Sequence, residues 1–195
     1  MKTAILLVLM GVMATLLGCS SPSLYPLATD DVRTDDPGLV GVWTRDDGDD
    51  RSRYHVTHDG ERYLLKWEQP QPGKPVRRWV FELARLGDHL FADLTLASDD
   101  AEEMNERFGT VAIVGHCFMR VRRDGDRLSV WTVNDDWLKA GLRSGTLTLA
   151  HARRNDGGIV ITAPTPDLQS FFRAHADNPD AWRDEFTLVR EKASR

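Results

Sequence analysis

The chain has 195 residues, with 25 Lys+Arg against 30 Asp+Glu, a net charge of −5 and two cysteines. That length holds one domain with a real core. The mildly acidic, interspersed charge argues against a nucleic-acid-binding surface and against electrostatic adhesion to anionic lipid. From the start, Lys2 is followed by Ala4 to Leu17, an uncharged and mostly apolar run of 14 residues. A membrane-spanning helix needs about 20 residues, so this run fits the hydrophobic part of a signal peptide.

The run ends in Leu16-Leu17-Gly18-Cys19 rather than in a stop-transfer pattern. All four positions resemble the lipobox of bacterial lipoproteins. The resemblance implies that residues 1–18 are a signal peptide cut after Gly18, and that Cys19 takes a diacylglycerol and becomes the first mature residue. Several acyl chains hold a protein on a bilayer almost permanently, at about 0.8 kcal/mol per buried CH₂. The next residue is Ser20, not the Asp that usually keeps such proteins on the inner membrane of Gram-negative bacteria. The expected location is therefore the outer membrane, facing the periplasm. The competing readings are a plain secretory signal with a chance cysteine, or a short anchor left uncut. With Cys19 given to lipid, Cys117 is expected to be a solitary, buried thiol with no intramolecular disulfide.

Residues 19–37 are rich in Ser, Pro and Asp and predict a flexible tether. A single domain is expected over 38–195. Strand signals with period-two alternation begin at Leu39–Arg45 and recur at 52–57. Tyr63, Leu65 and Trp67 alternate with Arg62, Leu64 and Lys66; Trp79, Phe81 and Leu83 with Arg78, Val80 and Glu82; and Leu90, Ala92, Leu94 and Leu96 with His89, Phe91, Asp93 and Thr95. Asp59-Gly60, Gly87-Asp88 and Asp124-Gly125 supply the turns. Residues 98–115 interrupt the pattern with a short helix and a glycine-flanked apolar stretch, a candidate lid. Strands resume at 116–123 and 128–133. Asn134 caps a short helix carrying Trp137 and Leu138. Strands near 146–152 and 158–162 follow. Thr165-Pro166-Asp167 then opens a helix as cap, first-turn proline and dipole-facing acid. Glu185 to Arg190 is the last strand. The prediction is a mainly β domain: an antiparallel meander of eight to ten strands closing into a small barrel, with two or three short helices.

Gly41-Val42-Trp43 on the first strand resembles the Gly-x-Trp signature of the lipocalins. The likeness implies that Trp43 closes the barrel floor and that a late-strand arginine, Arg190, packs over it. The chain lacks the lipocalin Thr-Asp-Tyr block, of which Asn134-Asp135-Asp136-Trp137 is an echo, and lacks the lipocalin disulfide. The mature chain as a whole resembles small uncharacterised bacterial lipoproteins, a likeness that implies no activity. Six tryptophans are many for this length. Trp67, Trp79, Phe81 and Trp131 are candidates to line an apolar pocket, with plain core packing as the bland alternative.

The Asp46–Asp50 cluster lacks calcium-loop spacing, and no histidine finds a partner set for a metal. Catalytic motifs are absent, so no catalytic residue, metal or cofactor is proposed and the expected function is not enzymatic. The sequence points to an envelope lipoprotein bound to the membrane through Cys19, its domain taking a lipid or other small apolar ligand. The alternative is a docking protein with a filled core and an envelope partner.

Overall fold

The computed structural model describes residues 21–45, 52–69, 76–100, 102 and 115–192. Cys19, the Asp46–Asp50 turn and most of the candidate lid at 98–115 lie outside the described residues; Ser98 to Asp100 are helical.

Eight antiparallel strands close into a barrel. In chain order these are β2 (Gly41–Arg45), β3 (Arg53–His58), β4 (Tyr63–Glu68), β5 (Arg77–Leu86), β6 (His89–Leu96), β7 (Cys117–Asp124), β8 (Arg127–Val133) and β11 (Trp182–Arg190). Around the ring the order is β5-β4-β3-β2-β11-β8-β7-β6, and β6 pairs back onto β5. The mainly β barrel expected from the alternation is the fold, and closure leaves no exposed edge among these eight. A two-residue strand, β1 (Arg33–Thr34), adds to β5 opposite Leu83 and Ala84. The strands expected near 146–152 and 158–162 are shorter, β9 (His151–Arg153) and β10 (Ile159–Ile161). They form a separate hairpin outside the barrel.

The pleat sends alternate side chains to opposite faces. Trp43, Tyr54, Val56, Tyr63, Trp67, Phe81, Leu83, Met119, Val130 and Leu188 face inward as one core. A second core lies outside the barrel, over β5 to β8. There Leu86, Phe91 and Phe118 meet Leu168, Phe171 and Phe172 of the helix α2 (Thr165–His175), with Ile161 and Leu27 beside them. Another helix, α1 (Asp135–Ser144), is capped by Asn134, whose side chain accepts from the Trp137 N–H at 3.4 Å. Trp182 and Phe186 share parity yet join different cores, because the pairing register of β11 with β8 shifts between Arg183 and Phe186. Such a bulge adds one residue and flips the alternation.

The barrel has two unlike ends. Short turns at 59–62, 87–88 and 125–126 join strands at one end, with Gly87 and Gly125 at φ of +63° and +57° as tight hairpins require. Long connections leave the other end, which we call the open end.

Residues 21–37 correct the expectation of a flexible tether. Ser23 is wholly buried and exchanges backbone hydrogen bonds with His116 at 2.9 and 2.8 Å. The Leu24 N–H donates to Ile161 O at 3.0 Å, and the Leu27 and Ala28 N–H groups donate to Asp93 Oδ2 at 2.7 and 3.2 Å. Thr165 was expected to cap α2; instead its hydroxyl donates to Pro26 O at 2.7 Å, and Gln169 Nε2 donates to Leu27 O at 3.0 Å. The segment is a strap running from the open end to the closed end, where Pro37–Leu39 forms one turn of 3₁₀ helix.

Candidate functional site

The closed end is built around Trp43. The indole is fully buried, and its N–H donates to Leu39 O at 2.8 Å. Arg190 lies opposite Trp43 in the β2–β11 register, and its guanidinium carbon sits 4.3 Å from the ring centroid. The same guanidinium donates to Asp126 Oδ1 at 3.1 Å, to Val40 O at 2.6 Å and to Gly38 O. Gly41 has φ of +145°, and a Cβ there would collide with this guanidinium. Glycine at that position is thus required twice, by backbone and by space.

Beside it, Asp36 receives both arms of Arg123, at 2.8 and 2.9 Å, and the Gly38 N–H at 2.9 Å. The Arg123 hydrogen bonds hold the Asp36 carboxyl below its ordinary value of 3.8, with burial opposing. The Asp36 N–H donates to the Tyr63 hydroxyl at 2.8 Å, and burial raises that phenol. A carboxyl depressed in the folded state stabilises fully above its unfolded pKa, and this is lost as pH falls through the folded value. Asp36→Asn is therefore expected to lower the thermal midpoint at pH 7, and the gap from the parent should close as the pH is taken well below 3.8. A gap that persists unchanged in acid would assign the effect to packing instead.

Above this floor the barrel encloses an apolar void of about 90 Å³. Trp79, Phe81, Met119, Val130, Phe186 and Trp43 are among its walls, and among the described residues no charged side chain lines it. Trp67 belongs to the same interior core. It packs 6.2 Å from Tyr54 and 6.1 Å from Trp79 between ring centroids, but does not line the void itself. It is only 5% exposed, and its indole N–H has no acceptor. Trp131 is placed elsewhere. It faces outward on β8 against the outer core, with the Arg120 and Arg122 guanidinium carbons 4.4 and 5.5 Å from its ring. The structure thus brings Trp79 and Phe81 to the void, Trp67 beside it, and Trp131 to the opposite face.

Cys117 lines the void and is disulfide-bonded in the unacylated chain; the expectation of a solitary thiol belongs to a chain whose Cys19 carries lipid. The chain's other cysteine, Cys19, lies outside the described residues.

A polar site that the sequence did not announce lies outside the barrel wall. Asp93, 5% exposed, takes His116 Nδ1 at 2.7 Å on one oxygen and the two strap N–H groups on the other. The nearby Ser23 hydroxyl donates to Tyr25 O at 2.8 Å. These groups bind the strap. The visible signal is an acid two residues from Phe91, on the same face of that strand.

The remaining histidines are dispersed. His55 pairs with Glu68 at 3.1 Å, His58 with Asp35 at 3.5 Å and His89 with Asp177 at 3.0 Å. Among the described residues no three ligating groups converge for a metal. An open hollow of about 770 Å³ lies between α1, residues 147–151 and α2. Its two histidines are engaged within the protein, His151 with Leu149 O at 2.9 Å and His175 against the Phe171 ring at 4.6 Å.

Comparison with known proteins gives no match, whether to a family model, a curated protein or a solved structure.

Proposed function

We propose that this chain is an envelope lipoprotein, anchored through Cys19, whose barrel binds a small apolar ligand without catalysis. The observation that carries the ligand reading is the apolar void inside a closed barrel sealed at one end by Trp43 and Arg190. Ligand sites for drug-sized molecules measure roughly 300–1,000 Å³. At about 90 Å³ the closed barrel suits one ring or a short alkyl segment, and a longer chain requires lining side chains to move. That small volume is also what favours the second reading, a docking protein with a filled core.

Ala92→Leu discriminates between the two. Ala92 lines the void, and added methyl groups would occupy it. The carrier reading expects a fluorescent apolar probe to bind the parent and to lose at least most of its affinity for the variant, with folding stability maintained. A probe that binds neither, together with a clean native mass for protein drawn gently from the envelope, would leave the docking reading in its place. The anchor is tested separately by intact mass. One Cys19 sulfur carries either a diacylglycerol thioether or a disulfide, never both, and Cys19→Ala is expected to free the protein from membranes.

A further inference from the structure

We infer that the open end of the barrel rests on the bilayer, with Leu24 and Tyr25 at the lipid interface. This rests on the anchor reading. From Cys19 to Pro22 is three residue steps, at most about 11 Å of chain. From Pro22 onward the strap is fixed: the Ile161 N–H donates to Pro22 O at 2.8 Å, Ser23 is locked to His116, and Leu24 to Ile161. His116 immediately precedes β7, so the point of attachment is the open rim. The eight residues of β7 carry the wall about 20–26 Å from that rim to the closed end. An acyl anchor at Cys19 therefore holds the rim against the membrane and leaves the closed end projecting from it.

The exposed side chains agree with this orientation. Single exposed apolar residues are ordinary; among the described residues three of the five large ones sit at this end, with Val40 and Leu64 at the other. Leu24 is 42% exposed, Tyr25 47%, and Val76, just before β5 begins at the open end, 43%. Tyrosine beside leucine suits the boundary between headgroups and acyl chains. The occupant of this surface is then a phospholipid bilayer.

The test uses the full acylated chain in phospholipid vesicles whose acyl chains are brominated, which quench indole emission at short range. Tyr25→Trp places an indole at the rim. Leu64→Trp places one at a position 39% exposed beside the closed-end turn, on the second residue of β4. After subtraction of the parent signal, the rim indole is expected to be quenched several-fold more than the Leu64→Trp indole. Equal quenching, or the reverse order, with diacylglycerol confirmed on Cys19 by mass, overturns the orientation alone. Absence of the diacylglycerol mass overturns the anchor and this inference with it.

Discussion

Trp43→Ala is expected to destabilise the domain by about 3–5 kcal/mol, the range for truncating a fully buried aromatic, and to lower the denaturant midpoint accordingly. The indole does three things at once. It fills the barrel floor with no exposure, donates to Leu39 O, and gives Arg190 a face to stack on. Removing it also strips Arg190 of a partner while its hydrogen bonds to Gly38, Val40 and Asp126 remain. Arg190→Lys keeps the charge but not the planar fork that reaches three acceptors. Its cost should be smaller, about 1–2 kcal/mol, the sum of a lost cation–π contact and imperfect hydrogen bonds. Because the two side chains touch, their effects should be non-additive in a double-mutant cycle. A Trp43→Ala midpoint within experimental error of the parent would remove the closed-end cluster from any keystone role.

The second large effect is expected at Asp93. Asp93→Ala leaves the buried Leu27 and Ala28 N–H groups and His116 Nδ1 without their acceptor. At about 1–3 kcal/mol for each buried group left unmet, the total is on the order of 3 kcal/mol or more. The strap should also loosen selectively. Limited proteolysis is expected to cut the variant within residues 21–37 under conditions that leave the parent intact. Asp93→Asn retains one acceptor oxygen and should fall between the two. If Asp93→Ala loses stability but its strap stays as resistant as the parent's, the carboxylate supports the wall and not the strap.

The barrel was legible because its strands alternate cleanly. Tyr63, Leu65 and Trp67, then Trp79, Phe81 and Leu83, repeat every two residues, and tight turns separate them. Alternation marks two faces without saying which is interior. On β8 both faces are apolar, since Leu128 and Val130 look inward while Trp131 and Val133 meet the outer layer. Trp131 was therefore assigned to the wrong side. The strap was missed for a different reason. Composition weighs side-chain burial, and Ser, Pro and Asp offer little. What holds this segment is mostly its backbone, served by Asp93, Thr165 and Gln169 from distant parts of the chain. No local pattern encodes such pairs. The Trp43–Arg190 contact, also distant in sequence, was anticipated because a three-residue signature on β2 suggested it. The Asp93–His116 pair had no such signature.

The strap also gives the domain a mechanical character. If the chain is pulled from its N-terminal side, the load reaches the Ser23–His116 and Leu24–Ile161 bonds before it reaches any stave of the barrel. Peeling residues 22–37 would release 16 residues, about 55 Å of extended chain, with the eight-stranded ring still closed. The strap then works as a coil of spare rope. With the anchor proposed at Cys19, the docked strap would keep the domain tight against the membrane, and the peeled strap would let the barrel travel several times its own strand spacing outward without unfolding.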